Sequence, residues 1–338
     1  MSEILGDQID RLITVEMRSP GFMRGIIPPI YERARKRLGK SLTLLAAEGL
    51  MGRVKKGDTV LITTGAVGPP FIPKGETDGP IGAAALARSM NMAFGAVPVY
   101  VNEPWGAEPI IAASHAAGIT VREYADAKRF PNSGAMAFFS AEEKNPQDLA
   151  RKMLDQYQPA CIFAIEKLGP NEKGIIHSAR GKDLTSAHAR VDFLFLEAKK
   201  RKILTIGIGD NGNEIGMGTL AEEVKAVNPL GSKCTCPCGA GITDSIVTDY
   251  AIIANVSNWG AYGLGAMLSC LLRKPDVLHE PMMERRIIED CVRAGALDGT
   301  LARQVPWVDG MPSAIHEALI AMLHCMVTNE LTPVKRDF

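Results

Sequence analysis

The sequence predicts an α/β protein in which a mostly parallel sheet carries helices on both faces. From Asp58 onward, short β-branched runs alternate with Ala-rich stretches of helical spacing. This alternation indicates successive strand–helix–strand units, whose crossover helices cover both faces of a sheet. We expect a single domain over residues 1–338, made of a helical N-terminal arm (1–57), a βαβ core (58–272) and a helical C-terminal cover (273–338).

The helices and strands are predicted from the spacing of apolar residues and from the positions of Pro and Gly between them. Apolar spacing predicts two helices in the arm, one around Ile9 to Ile13 and one from Leu42 to Leu50, joined by a connection over 18–29. The predicted strands are 59–64, 97–101, 119–124, 160–165, 203–208 and 251–256. The predicted helices of the core and cover are 80–94, 108–117, 145–156, 191–202, 283–294 and 312–328.

One uncharged stretch is long enough to span a bilayer. No charged side chain occurs between Asp249 and Arg273. The stretch also contains Asn, Ser, Trp and several Gly residues. We therefore interpret it as a buried strand, a polar turn and a buried helix.

Composition and charge exclude several classes of protein. The 338 residues are 46% apolar and 22% charged, as in ordinary globular chains. The 38 basic and 38 acidic residues cancel, so no global positive field attracts nucleic acid or an anionic membrane. The odd count of 7 cysteines favours a reducing compartment, and the N-terminus resembles no signal or transit peptide. We expect a cytoplasmic protein that binds neither nucleic acid nor membrane, with a homo-oligomer left open.

Function is expected in the loops that follow the strands, because ligands of open α/β sheets lie at the carboxyl ends of the strands. Four of these loops are polar and Gly-rich, and five acids belong to them: Glu76, Asp78, Glu166, Asp210 and Glu214. Close carboxylates raise one another's pKa or attract a cation, which suits proton transfer or a bound Mg²⁺ or Mn²⁺. A cationic amine substrate would satisfy the same charge. We expect Glu76, Asp78, Asp210 and Glu214 to lie in one cleft as the catalytic acids.

Three of these acids also have a structural alternative. Asp78 precedes a predicted helix and could only cap it. Glu214 could only stabilise its turn, and Glu166 could only form a solvated pair with Lys167.

A dinucleotide site is disfavoured. Glycines at 207, 209 and 212 have the GxGxxG spacing, but no clear helical run follows them directly.

The cysteine-rich segment is a candidate metal site, and three histidines are candidate acids or bases. Cys234, Cys236 and Cys238 could bind zinc or an iron–sulfur cluster. Their one-residue gaps are unusual for metal sites and no fourth ligand is obvious, so we expect free thiols. A nucleophilic cysteine would need a local base, and the nearest histidines are distant in sequence. His177, His188 and His316 could act as acids or bases, with a structural role as the default expectation.

Several motifs together resemble the D-glutamate cyclase family. They are GETDGP, GDNGNEIGMG and SNWG in the loops, and VDGMP followed by His316 near the end. The resemblance runs from about Ile9 to Leu323 and implies a lyase that converts D-glutamate to 5-oxo-D-proline with loss of water. That reaction needs a general base for the amine, a general acid for the departing oxygen and donors for the α-carboxylate. The segment from Lys233 to Gly241 departs from the family pattern.

The resemblance implies a substrate site built from the same loops. Candidate donors to the α-carboxylate are loop N–H groups near Gly79 or Gly212 and the amide of Asn258. The candidate substrate-binding residues are Gly79, Glu166, Asn211, Gly212, Asn213, Ser257, Asn258 and Trp259. On this hypothesis Asp210→Asn removes activity and leaves the fold nearly intact. The alternatives are a non-catalytic protein that binds a small acidic metabolite and a metal-dependent lactam or amide hydrolase.

Overall fold

The structure, a computed structural model, describes residues 2–19 and 24–332. Within these residues, seven strands form one sheet in the spatial order β3-β4-β2-β1-β5-β6-β7, and every neighbouring pair is parallel. The strands are β1 (Thr59–Thr64), β2 (Val97–Asn102), β3 (Thr120–Arg122), β4 (Ser133–Phe138), β5 (Cys161–Ile165), β6 (Leu204–Gly209) and β7 (Tyr250–Ile253). The predicted α/β class with a parallel sheet is confirmed.

Helices surround the sheet and form both termini of the described chain. They are α1 (Ser2–Ile13), α2 (Ile27–Leu38), α3 (Leu42–Met51), α4 (Pro80–Phe94), α5 (Ala107–Ala116), α6 (Tyr124–Ala127), α7 (Pro146–Tyr157), α8 (Asp192–Arg201), α9 (Ala221–Val227), α10 (Ser257–Leu272), α11 (Pro281–Arg293) and α12 (Ser313–Leu331). A small hairpin of β8 (Trp307–Val308) and β9 (Met311–Pro312) precedes α12.

The central strand β1 shows why both faces of the sheet need a helical layer. All six of its residues are buried, and successive side chains point to opposite faces. Val60 and Ile62 belong to one apolar cluster, packed with residues of α4 and α10. Leu61 between them belongs to a second cluster, packed with residues of α7 and α8.

Five features of the fold were not predicted from the sequence: strand β4, helices α2, α6 and α9, and the β8–β9 hairpin. Strand β4 was missed because its sequence SGAMAF contains no β-branched residue. Helix α2 begins at Ile27 inside the predicted connection 18–29, and its two prolines occupy the first turn, where their missing N–H groups cost nothing. The β8–β9 hairpin was also missed. Positions 20–23 of the predicted connection and 333–338 of the predicted cover lie outside the described residues.

The uncharged stretch folds as expected. It forms the buried strand β7 and then the buried helix α10, with the turn between them at 254–256. Among the described helices, none combines the length and the apolar character needed to cross a bilayer.

The strand order creates a crevice at one edge of the sheet. From β1 the chain continues to β2 on one side, and β5 pairs with β1 on the other side. The loops after β1 and β5 therefore diverge, which is the position where open α/β sheets bind ligands.

Candidate active site

A cavity of about 380 Å³ opens at this crevice. The loop after β1 lines it with Glu76, the loop after β5 with Glu166, and the loop after β6 with Asp210. The C-terminal cover closes it with Asp309. The volume lies within the range of roughly 300–1,000 Å³ that is usual for small-molecule sites.

The carboxyl groups at this cavity lie within direct reach of one another. Oxygens of Asp78, Asp210 and Asp309 all lie within 4.8 Å of each other, and so do oxygens of Glu166, Asp210 and Glu214. Asp210 belongs to both groups and is the centre of the cluster. Glu76 faces the same cavity and is subject to the charges of Asp78 and Asp210. Of the four expected catalytic acids, Glu76 and Asp210 line the cavity, whereas Asp78 and Glu214 lie beside Asp210 without lining it.

Arg18, which follows α1, neutralises part of this charge. Its side chain is 5% exposed, and its Nη2 lies 2.5 Å from Asp210 Oδ2. It also donates to Asn211 Oδ1 at 2.9 Å and to the carbonyl of Asn255 at 2.8 Å. Burial disfavours its charged form, but the charges of Asp210 and its neighbours raise the pKa of Arg18 above its usual value. The arm therefore supplies a permanent cation.

Burial and mutual repulsion favour the protonated form of several of the acids. Burial, followed by the charge of Asp210, raises the pKa of Glu166 well above its usual value. Burial and the charges of Asp78 and Asp210 do the same for Glu76 and Asp309, and Arg18 opposes the effect at Asp309. A cavity of this kind holds acids that can donate protons at neutral pH.

Asp78 was considered as a possible cap of α4, but its carboxylate caps α10. Its carboxylate accepts from the N–H groups of Ser257 and Asn258 at 2.8 and 2.9 Å, at the start of α10. In return, Asn258 Oδ1 accepts from the N–H groups of Gly79 and Gly82 at 2.9 and 2.7 Å, at the start of α4. The two helices thus cap each other. Burial and the charge of Asp210 raise the pKa of Asp78 to about 7, against the opposing N–H groups.

Glu214 holds the loop after β6 in shape. It accepts from the N–H groups of Asp210, Asn211 and Gly212 at 3.2, 2.9 and 2.8 Å. A Cβ on Gly209 would lie 2.5 Å from Glu214 Oε2, so glycine is needed where the carboxylate lies against the strand. Burial and the charge of Asp210 raise the pKa of Glu214 to about 8.

The glycine spacing at 207, 209 and 212 has a packing explanation. A Cβ on Gly207 would lie 2.5 Å from the carbonyl oxygen of Ile215, because the loop folds back over the strand. Helix α9 begins only at Ala221, so no helix directly follows the glycines, as expected.

The predicted substrate-binding residues divide into two groups. Glu166, Asn211 and Asn213 line the cavity. The N–H groups of Gly79 and Gly212 and the amide N of Asn258 already donate to groups of the protein, and the expectation that they donate to the α-carboxylate of a substrate is not met by free donors there.

Two residues of the SNWG motif act behind the cavity wall. Ser257 donates to Glu166 Oε2 at 2.6 Å and so orients that carboxyl group. Trp259 is fully buried and donates to His316 Nδ1 at 2.9 Å, which gives His316 a structural partner.

Glu166 and Lys167 form no solvated pair. Both are buried, and Lys167 Nζ contacts Glu103 Oε1 at 2.6 Å. Glu103 also accepts from the N–H of Ala189 at 2.8 Å. This buried pair anchors the loop after β5, while the backbone of Glu166 has φ of 46°. Such a conformation is strained for a residue with a side chain and turns Glu166 towards the cavity.

The comparison with known families decides the relationship of this chain. A family model described as "D-glutamate cyclase-like, C-terminal" matches residues 10–324. The chain belongs to this family. It is also 29% identical over 266 residues to the human protein named "D-glutamate cyclase, mitochondrial". That match covers 77% of this chain and 38% of the human protein. The chain therefore spans well under half the length of this relative.

Sequence reasoning missed two residues of the site, Asp309 within a D-glutamate cyclase-like motif and Arg18 outside every motif. Asp309 is in VDGMP, where Asp309 and Gly310 have φ of 51° and 76°. Asp-Gly between apolar residues is a strong signal for a tight hairpin, so the hairpin was predictable, although its place at the cavity was not. Arg18 carried no signal, because its partner Asp210 is 192 positions away.

His177 lies beside the cysteine-rich segment, where the sequence showed no obvious fourth ligand. Its Nε2 lies 3.1 Å from Cys236 Sγ, although 59 positions separate the two residues. All seven cysteines, each within the described residues, are free of disulfide bonds. His188 accepts from the N–H of Val67 at 3.2 Å, in a structural role.

The free energy of unfolding of the metal-free protein is expected to fall as the pH rises from about 6.5 to about 8. Unfolded Asp78 and Glu214 ionise near 3.8 and 4.5, whereas the folded protein retains their protons to about 7 and 8. In this window the folded state binds more protons, so a rise in pH favours unfolding by about 1.4 kcal/mol per pH unit for each protonated carboxyl. Buried His188 has the opposite effect, but only below 6.5. Urea unfolding at several pH values measures the slope.

A matched variant tests the origin of this slope. Glu214→Gln removes one of the titrating carboxyls, so its unfolding free energy should depend less steeply on pH. A wild-type stability that is flat or rises across the window contradicts the assignment of buried, protonated acids.

Proposed function

We propose that the protein cyclises D-glutamate, or a closely related amino dicarboxylate, to 5-oxo-D-proline with loss of water. Family membership supports the reaction class. The observation that carries the proposal is one cavity faced by Glu76, Glu166, Asp210 and Asp309, with Asp210 paired to Arg18. Burial raises the pKa of Glu166 and so favours a protonated carboxyl beside that ion pair. The binding partner on this proposal is a small molecule.

The proton balance of the reaction suits such a cluster. The substrate ammonium must lose two protons to become the lactam N–H, and the departing γ-oxygen must gain two to leave as water. The site therefore consumes no net proton. A group of carboxyls within 4.8 Å of one another can accept protons from nitrogen and return them to oxygen. Asp210 is the proposed base, and Glu166 is the proposed acid.

Substrate charge also matches the cavity. An amino dicarboxylate carries two negative charges, which ionised carboxylates would repel. Carboxyls that keep their protons instead donate hydrogen bonds to the substrate, and Arg18 offers a cation at the same wall. The substrate ammonium is attracted to ionised Asp210.

A divalent cation fits the same donor set. Asp78, Asp210 and Asp309 present only oxygen ligands within 4.8 Å of one another, as Mg²⁺ or Mn²⁺ prefers. A cation there would polarise the γ-carboxylate and relieve the repulsion among the acids. We therefore include Mg²⁺ or Mn²⁺ as a proposed cofactor.

Incubation with D-glutamate is expected to yield 5-oxoproline. The purified protein is incubated with D- and L-glutamate, with and without Mg²⁺ or Mn²⁺, and the products are separated by chiral chromatography. Conversion of the D-enantiomer supports the proposal. The control is Glu317→Gln, a substitution on α12 outside the cavity lining, which should not change turnover.

Two other outcomes select the alternatives. Binding of glutamate in equilibrium dialysis, without turnover under any metal condition, supports a non-catalytic binding protein. Hydrolysis of other lactams or amides that requires metal, without formation of 5-oxoproline, supports the hydrolase.

A further inference from the structure

A second cluster of ligand-type side chains lies outside the acid cluster. Cys234, Cys236 and Cys238 belong to the irregular segment between α9 and β7, and His177 belongs to the long connection between β5 and α8. Four ligand atoms, one from each residue, all lie within 4.8 Å of one another. We propose that these four residues bind one zinc ion.

The separations between the ligand atoms fit a tetrahedral ion. Zn–S bonds of about 2.3 Å and Zn–N bonds of about 2.0 Å place two sulfurs about 3.8 Å apart, and a sulfur and a nitrogen about 3.5 Å apart. Cys234 Sγ lies 3.5 Å from Cys236 Sγ and 3.2 Å from Cys238 Sγ. His177 Nε2 lies 3.1 Å from Cys236 Sγ and 3.6 Å from Cys238 Sγ. Shifts of a few tenths of an ångström accommodate the ion.

The ligand set and its surroundings favour a structural zinc site. Three thiolates and one imidazole fill the four positions of zinc and leave none open for substrate. Neighbouring N–H groups face the sulfurs, since the Cys238 N–H donates to Cys236 Sγ at 3.4 Å and Asn171 Nδ2 donates to Cys238 Sγ at 3.4 Å. Such donors stabilise metal-bound thiolates and fix their orientation.

Two rival chemistries fit less well. A disulfide needs a sulfur separation of about 2.05 Å, would use two of the three thiols and would leave His177 without a role. An iron–sulfur cluster distributes its ligands over two or more irons, so its four ligand atoms would not all lie in mutual contact as they do here.

The ion would attach one wall of the cavity to the cysteine-rich segment. Ser178, Ala179 and Arg180 follow His177 directly and line the cavity. The carbonyl of His177 accepts from Asn213 Nδ2 at 2.9 Å, and Asn213 also lines the cavity. Zinc at His177 would therefore position this wall without touching the substrate.

Metal analysis of the purified full-length chain tests the proposal. Elemental analysis is expected to find about one zinc ion per chain after growth with zinc and purification without chelators. Replacement by Co²⁺ should give the intense sulfur-to-metal absorption of a thiolate site, which an acidic oxygen site cannot give. Cys236→Ser and His177→Ala should each lower zinc affinity by about tenfold or more. The control is Cys325→Ser, which removes an exposed cysteine outside the cluster.

A gain-of-ligand variant keeps the test decisive if the loss variants fold poorly. His177→Cys supplies a fourth thiolate and should retain zinc, because Cys₄ sites are also stable. Chelation of wild-type zinc should lower the melting temperature. The proposal is overturned by wild-type protein that takes up neither zinc nor Co²⁺. It is equally overturned by full zinc retention in folded Cys236→Ser and His177→Ala, or by a disulfide within the cluster in the freshly purified protein.

Discussion

Glu166→Gln is expected to reduce turnover of D-glutamate by on the order of 10²-fold or more, with little change in stability. Burial and the charge of Asp210 raise the pKa of Glu166 well above its usual value, so the folded protein favours its neutral acid form. Glutamine has nearly the shape of that neutral acid and keeps the acceptor for Ser257, but it has no proton to transfer. Steady-state kinetics and urea unfolding of the same preparations measure the two effects.

Two control variants distinguish the loss of the Glu166 proton from a change in the position of the Glu166 side chain. Ser257→Ala removes the hydroxyl that orients Glu166 without removing its proton, so it should lower kcat less than Glu166→Gln does. Glu317→Gln makes the same chemical change outside the cavity and should be neutral. If Glu166→Gln keeps normal kcat with an unchanged pH profile, Glu166 is not the acid of the reaction.

The fold was largely predictable because its signals are local. β-branched runs such as TVLITT and their alternation with helices fix a parallel sheet with covered faces, and six of the seven sheet strands were recognised. Strand β4 was not, since nothing within SGAMAF favours a strand over a loop. Its place between β2 and β3 comes from tertiary packing, which a local pattern does not contain.

The candidate site was predictable to the level of loops. The carboxyl ends of parallel strands lie at the same edge of the sheet. This rule alone predicts that Glu76, Asp78, Asp210 and Glu214 lie near one another. The rule does not say which way a side chain points, so it could not show that Asp78 and Glu214 also bind backbone N–H groups. Contacts between distant segments, such as Arg18 with Asp210, depend on packing of the arm and leave no sequence pattern.

Asp210→Asn is expected to reduce turnover by on the order of 10²-fold or more and also to lower stability by about 1–3 kcal/mol. The sequence alone predicted a nearly intact fold. The structure corrects this, because Asp210 is the direct partner of Arg18, and both side chains are at most 5% exposed. Leaving a buried arginine without its partner is costly. The cost is moderated because Glu166 and Glu214 ionise more easily once the charge of Asp210 is gone.

A double variant separates the two roles of Asp210. Arg18→Gln/Asp210→Asn removes both charges, and glutamine can still donate to the carbonyl of Asn255. Its stability should exceed the sum expected from the two single variants, with a coupling energy of about 0.5–3 kcal/mol. Its turnover should stay as low as that of Asp210→Asn, because no carboxylate remains at the centre of the cluster to accept a proton. Recovery of turnover together with stability would mean that Asp210 acts only as the counterion of Arg18, and the base would then be sought at Glu76 or Asp309, which face the same cavity.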